Sequence, residues 1–326
     1  MGLSKTSFFN FFYCIIRLKG LFKCIVFYHI MSLFPYNPIS TPPPKPTPNT
    51  PMPSVTAALK GSPIDLSKMA ADLKTRGWVC VRLDPQLVSL IDQSTEFADK
   101  FFAQSPEYKS RFKKEPMFGY FGVEHKESFR LLTGHRLGEH TFPPESDAVA
   151  KLTKVLDKVM HDLTLRLAPE LFPNLQSDPR ARRIPLTGSV MHKWGMFDIT
   201  KYHNRNPRIN CNPHSDPGLL SLSVRSTAPG LQLRDELGRW TDAPTDKMVG
   251  ILWAGAMANK LNPLIKPGVH QVIGFPRARL ALWYEVCVLK QEHTELIGDK
   301  KGVSSAFESK TGVPMSKYRG PNQMLL

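Results

Sequence analysis

The sequence predicts a protein of mixed α and β class, a sandwich or barrel of short strands with helices packed outside. Two observations carry this. From Pro63 to Ala168 apolar residues recur at helical spacing, and after Pro169 the chain breaks into short alternating runs separated by Gly, Pro and Asp. With 326 residues, 41% of them apolar, there is enough material for one large domain or two small ones, and wholesale disorder is excluded.

The first element is a leader, residues 1–34. It is rich in aromatic and aliphatic side chains, but Arg17, Lys19 and Lys23 interrupt it, and its longest uncharged apolar stretch, Cys24 to Phe34, spans 11 residues. A bilayer span needs about 20. Three readings fit: a signal-like or peripheral anchoring segment, an acid-poor organelle-targeting leader, or sequence upstream of a start at Met31. A linker follows over residues 35–61, where nine prolines between Pro35 and Pro53 favour extended polyproline II.

From Pro63 a helix is expected, with Asp65 as cap, Leu66, Met69, Ala70 and Leu73 on its apolar face, and Gly77 as its stop; Trp78 to Val81 then reads as a strand. Asp84-Pro85 opens a second helix by the cap-plus-proline rule, with Leu87, Leu90, Ile91, Phe97, Phe101 and Phe102 as its buried stripe. A third helix is expected over Glu145 to Ala168. Strands follow at Leu219–Val224, Gly230–Leu233, Met248–Trp253, Val269–Phe275 and Leu280–Leu289.

The net charge of +15 suggests nucleic acid at first sight, yet six of those charges lie in residues 1–60, which hold no acid, and beyond them Lys and Arg are scattered among Asp and Glu. No nucleic-acid partner is expected. The five cysteines form no CxxC pair and no zinc spacing, which favours buried reduced thiols and a reducing compartment such as the cytoplasm, unless residues 1–34 direct the chain to a membrane or an organelle.

The chemistry is concentrated in Cys211-Asn212-Pro213-His214-Ser215-Asp216-Pro217-Gly218. In an extended segment residues i and i+2 point the same way, so His214 and Asp216 can converge on one point. Alone, such a triplet also fits a polar turn before a strand. His270 supplies a third candidate ligand, because an imidazole inside the apolar run Val269–Phe275 is costly to bury without a partner; a core histidine bonded to a carbonyl is the competing reading. Two histidines and a carboxylate on a β scaffold match the facial triad of non-heme Fe(II) oxygenases. Gly274-Phe275-Pro276-Arg277 is a turn signal, so a hairpin is expected to set Arg279 across from His270, with Arg279, Ala281 and Trp283 on one side of the second strand. An arginine directed into a barrel mouth needs an anion, and a carboxylate gives it a bidentate partner.

Taken together, His214-Ser215-Asp216, Pro229 to Leu233, Trp240, His270 and Arg279-Leu280-Ala281, in this order and at these separations, resemble the isopenicillin N synthase-like branch of the 2-oxoglutarate and Fe(II)-dependent dioxygenases. Upstream, Gly77 to Val81 looks like that family's first strand, and Gly119 to Phe129 like its segment before the third long helix. The resemblance covers residues 62–290 and implies a double-stranded β-helix (jelly-roll) core with flanking helices. It divides the chain into an N-terminal helical region, 62–180, the core with its iron site, 181–290, and a C-terminal tail, 291–326. It further implies that His214, Asp216 and His270 bind Fe(II), that Arg279 and Tyr202 hold 2-oxoglutarate, and that dioxygen oxidises a small organic molecule by hydroxylation, desaturation or a similar reaction.

Phe118, Tyr120, Phe121, Trp194 and Phe197 are expected to line the substrate pocket, and a monomer is expected. The family's arginine is usually followed two residues on by serine, where this chain has Ala281, and the interval from His270 is one residue tight. Loss of a hydrogen bond to a charged group costs about 1.5–3 kcal/mol. This departure keeps open a 2-oxoglutarate-independent Fe(II) oxidase in which Arg279 grips the substrate's own carboxylate. A non-catalytic binding module of the same fold is a further alternative.

Overall fold

The computed structural model describes residues 51–287, with the exception of 115–117, 124, 134–139, 174–194 and 204–208. In chain order the elements are α1 (Val55–Leu59), α2 (Pro63–Thr75), β1 (Trp78–Arg82), α3 (Pro85–Phe102), α4 (Pro106–Ser110), β2 (Lys113–Lys114), β3 (Phe118–Val123), β4 (Lys126–Leu132), α5 (Asp147–Leu171), β5 (Gly195–Tyr202), β6 (Ile209–His214), β7 (Leu220–Ser226), β8 (Leu231–Arg234), β9 (Trp240–Asp242), β10 (Val249–Ala254), α6 (Ala256–Leu261), β11 (His270–Ile273) and β12 (Arg279–Val286). The mixed α and β class is thus observed.

The strands form two antiparallel sheets. One has eight strands in the order β1-β10-β7-β12-β5-β4-β3-β2, the other four in the order β6-β11-β8-β9. The large sheet buries both faces. Leu280, Leu282 and Tyr284 of β12, with Phe197 and Ile199 of β5, point into the main core, where they meet the apolar stripes of α2, α3 and α5. Tyr202, Ala281 and Trp253 point the other way and pack with Cys211, Leu231, Leu233 and Val272 of the small sheet. Strand alternation, with period two, sorts the side chains between these faces.

Local signals explain the helices. Asp84 caps α3 through a bond from the Gln86 amide, with Pro85 in the first turn, as the sequence predicts. Ser62, rather than Asp65, is the N-cap of α2, and Asp65 sits in the first turn, where it accepts from the Ser62 hydroxyl (2.5 Å) and from the Ser54 amide (2.6 Å). Gly77 follows the end of α2 at φ +82°, and a Cβ there would come within 2.7 Å of the backbone of Pro267 and Gly268, so only glycine fits.

Three expectations are corrected. First, the folded region begins before residue 62: Ser54 caps α1, Val55 and Ala58 are buried, and the Arg82 amide donates to the Pro53 carbonyl (2.8 Å). The short apolar run after Ser54 is helix-forming once the prolines stop. Second, His270 and Arg279 do not flank a hairpin. Strand β11 pairs with β6 and β8, whereas β12 pairs with β5 and β7, so the turn between them carries the chain from one sheet to the other. Third, the N-terminal region carries more sheet than the one strand expected at Trp78–Val81, because β3 and β4 form a hairpin that extends the large sheet beyond β5. The end of α5 also runs past Pro169 to Leu171.

Candidate metal centre

Each element delivers one part of the site. Strand β6 ends at His214, and its register partner on β11 is His270, which sets the two rings 4.2 Å apart between centroids. Asp216 lies two residues beyond His214, and its backbone carbonyl accepts from the Ala256 amide (2.7 Å), which fixes the turn. One ligand atom from each of the three residues falls within 4.8 Å of the other two, and His270 Nε2 stands 3.8 Å from Asp216 Oδ1. The structure therefore brings all three sequence-predicted ligands together.

Backbone carbonyls decide the tautomers. His214 Nδ1 lies 2.7 Å from the Asn212 carbonyl and His270 Nδ1 lies 3.2 Å from the Gly268 carbonyl. A carbonyl only accepts, so each Nδ1 carries the proton and each Nε2 keeps its lone pair. That is the arrangement by which an outer hydrogen bond orients a metal-binding imidazole. The Trp253 indole stacks on His270 at 4.3 Å and 17° and holds its plane. Burial pushes the His214 imidazole down in pKa, but the Cys211 sulfur and the Asp216 carboxylate outweigh it and raise it above the ordinary histidine range. The Asp216 carboxylate supplies the negative charge that favours a bound cation here.

The triad opens into a narrow cavity lined by both sheets, about 530 Å³ when the open space at its mouth is included. Arg279 enters it from the start of β12, opposite its register partner Tyr202 on β5, with the guanidinium carbon 5.1 Å from the Tyr202 ring centroid. Arg279 Nε donates to Ser226 Oγ (2.7 Å), and the Ser226 hydroxyl donates onward to the Ala228 carbonyl (2.8 Å). Arg279 Nη1 is buried with no hydrogen-bond partner. Such a group costs about 1–3 kcal/mol or more when left unpaired, and a cavity-facing guanidinium in this state fits an anionic ligand. Burial lowers the Arg279 pKa and raises that of the Tyr202 phenol.

The substrate-pocket expectations fare differently. Phe197 is fully buried in the main core, on the face of β5 away from the cavity, because it alternates with Asp198. Phe118 is buried beside His140, and Tyr120 packs against Phe101 and donates to Glu127 (2.5 Å). Phe121 lies under the Arg130 guanidinium at 4.9 Å. Trp194 lies outside the described residues. None of the four described aromatics lines the cavity. Its wall is built instead by Trp283, which shares the Arg279 side of β12 as the sequence predicts, and by residues the sequence did not mark out, among them Lys126, Ser128 and Arg130 of β4, Thr200 of β5 and Trp253.

No protein-family model matches this sequence, and no curated protein matches it. Solved structures share its fold. A 2OG-Fe(II) oxygenase family protein from Caulobacter crescentus is 20% identical, with a TM-score of 0.57 over 72% of this chain and 85% of its own. A full-length Neurospora crassa protein, in complex with alpha-KG and 5-formyluracil, is 17% identical, with a TM-score of 0.59 over 73% of this chain and 84% of its own. A rice dioxygenase for auxin oxidation is 14% identical, with a TM-score of 0.60 over 74% of this chain and 84% of its own.

Proposed function

We propose that this chain is an Fe(II)- and 2-oxoglutarate-dependent dioxygenase that oxidises a small organic molecule, and that its two facing sheets form a double-stranded β-helix. The observation that carries the reading is the unpaired, buried Nη1 of Arg279 in the same cavity as His214, Asp216 and His270. A metal triad alone fits many chemistries; a triad that shares a cavity with an anion-seeking arginine fits a carboxylate co-substrate. The neighbours named above include the Neurospora crassa protein crystallised with alpha-KG, which supports the same conclusion.

Nε2 of His214, Nε2 of His270 and the Asp216 carboxylate would hold the iron, whose remaining positions are left for ligands. Arg279, steadied by Ser226, would take the distal carboxylate of 2-oxoglutarate, with Tyr202 beside it. Iron and 2-oxoglutarate, once bound, supply the dioxygen activation that oxidises an inert carbon. The protein's own share is orientation and exclusion of water: Trp253 holds the His270 ring, and the backbone carbonyls of Asn212 and Gly268 keep both histidines in the metal-binding tautomer. Among the described residues Cys80, Cys211 and Cys287 form no disulfide, in keeping with a reducing compartment. We place the enzyme in the cytoplasm, with residues 1–34 as the segment that would redirect it.

Oxygen uptake with Fe(II) and 2-oxoglutarate across a panel of small molecules tests the reading. Uptake that needs both additions supports it, and uptake with substrate and iron in the absence of 2-oxoglutarate moves the assignment to an oxidase.

A further inference from the structure

Beyond Arg279 the cavity holds a second polar wall. Strands β4, β5 and β12 align in register as cross-strand rungs; counting those whose side chains share the cavity face, the first is Lys126–Tyr202–Arg279 and the third Arg130–Asp198–Trp283. Four residues separate these two rungs along each strand, about 13 Å at 3.3 Å per residue, so the third rung is remote from the proposed co-substrate anchor. Arg130 is 3% exposed, and Asp198 is fully buried behind it. Arg130 Nε donates to Asp198 Oδ2 (2.7 Å), and Nη2 lies 2.5 Å from the same oxygen. Asp198 Oδ1 accepts from the Thr200 hydroxyl (3.0 Å).

The carboxylate sets the direction of the neighbouring hydrogen bonds. Thr200 spends its proton on Asp198, so in the 2.5 Å contact between Ser128 Oγ and Thr200 Oγ1 the donor is Ser128. Ser128, which lines the cavity, then has only lone pairs left to offer a ligand. Arg130 also lines the cavity. Its Nε and Nη2 are spent on Asp198, no described hydrogen bond uses Nη1, and the Phe121 ring covers one guanidinium face. A buried ion pair is a poor source of stability compared with an apolar pair of the same volume, and its position on a cavity wall gives it another use.

We propose that Arg130 and Ser128 form the substrate-recognition wall of this site, and that the substrate is a small uncharged molecule with an amide-type edge, a carbonyl oxygen beside an N–H. The carbonyl is received by Arg130 and the N–H by Ser128. Asp198 neutralises the guanidinium, so no substrate charge is needed, and the Ser128 lone pairs disfavour a carboxylate. A site that hydrogen-bonds a substrate group rejects analogues lacking it far more strongly than an apolar pocket does. This deepens the dioxygenase reading and rests on it.

The test uses sets of one- and two-ring carboxamides and lactams, each beside its carboxylic acid and methyl counterparts, titrated anaerobically into the full chain loaded with Fe(II) and saturating 2-oxoglutarate. Saturation keeps the acids off Arg279. Amide members should bind at least tenfold more tightly than their acid and methyl counterparts, and Arg130→Lys, which keeps a cation for Asp198 but loses the planar fork that presents Nη1 to the cavity, should erase that preference. The double variant Arg130→Met/Asp198→Leu removes both charges at similar volume and should do the same. Iron and 2-oxoglutarate affinities in both variants should stay within about twofold of the parent. Absence of any amide binding, tighter binding of the acids, or an amide preference that survives in Arg130→Lys each overturns the proposal. A parent that fails to bind 2-oxoglutarate with Fe(II) overturns the dioxygenase reading instead.

Discussion

The Ser226 hydroxyl accepts a hydrogen bond from Arg279 Nε at 2.7 Å, and Ser226 is the register partner of Ala281 on the adjacent strand. The serine expected two residues after the arginine is missing, yet a hydroxyl reaches the same guanidinium from across the ladder. Its proton goes to the Ala228 carbonyl, so Ser226 holds the arginine in place. Ser226→Ala should therefore weaken 2-oxoglutarate by several-fold, in line with a hydrogen bond to a charged group. Calorimetric titration of 2-oxoglutarate into Fe(II)-loaded protein reads this directly.

Arg279→Gln should do more, with a loss above tenfold, because charge and the free Nη1 go together. Iron affinity should stay near the parent's, since His214, Asp216 and His270 are untouched. Ala281→Ser should leave 2-oxoglutarate affinity equal or improve it. Equal loss of iron and co-substrate in Arg279→Gln would show that the arginine supports the fold and is not an anchor.

His214→Ala, Asp216→Ala and His270→Ala should each abolish stoichiometric Fe(II) binding and keep the native circular dichroism, since each removes one of three ligands. Trp253→Leu should weaken iron less, through loss of the stacked support under His270. A variant among the first three that binds Fe(II) like the parent loses its place in the triad.

The start of the folded region can be tested by truncation. A chain beginning at Pro51 should match the full chain in melting temperature, whereas one beginning at Ser62 loses buried Val55 and Ala58 and the Pro53–Arg82 bond and should melt several degrees lower. Equal melting of the two truncations would return α1 to the linker.

Asp65 ties α1 to α2, and its carboxyl is held below the usual aspartate value, chiefly by the Ser62 hydroxyl and then by the Ser54 amide. A depressed folded pKa adds stability above the unfolded value of about 3.9, and that stability is lost as pH falls through the folded value. Asp65→Asn should cost about 1 kcal/mol at neutral pH, the net worth of a typical hydrogen bond, and the difference should shrink toward zero in acid. Urea unfolding of both proteins at pH 7 and below about pH 3.9 checks the sign.

Parts of the site were legible because their chemistry is local. His214 and Asp216 sit two residues apart in an extended segment, and a histidine in the apolar run at His270 demands a partner. The side of β12 that carries Arg279 followed from alternation, although the supposed hairpin was in fact a crossing between sheets: a Gly-Pro turn signal marks a reversal and does not say which sheet receives the next strand. The wall formed by Lys126, Ser128 and Arg130 is not legible in the sequence, for a physical reason. Polar residues alternating along a strand look like a solvent face, but every residue of β4 is buried, and the polar face meets a cavity. Phe197 goes the opposite way, since strand alternation draws its ring into the main core.

The most direct measurement is release of carbon dioxide from 2-oxoglutarate, labelled at its first carbon, by the parent, His214→Ala and Arg279→Gln proteins with and without Fe(II). The parent should release label only with Fe(II), His214→Ala should release none, and Arg279→Gln should need more than tenfold more 2-oxoglutarate for half-maximal release. Oxygen consumption by the parent without any release of label, or undiminished release by His214→Ala, would contradict an iron and 2-oxoglutarate chemistry centred on this cavity.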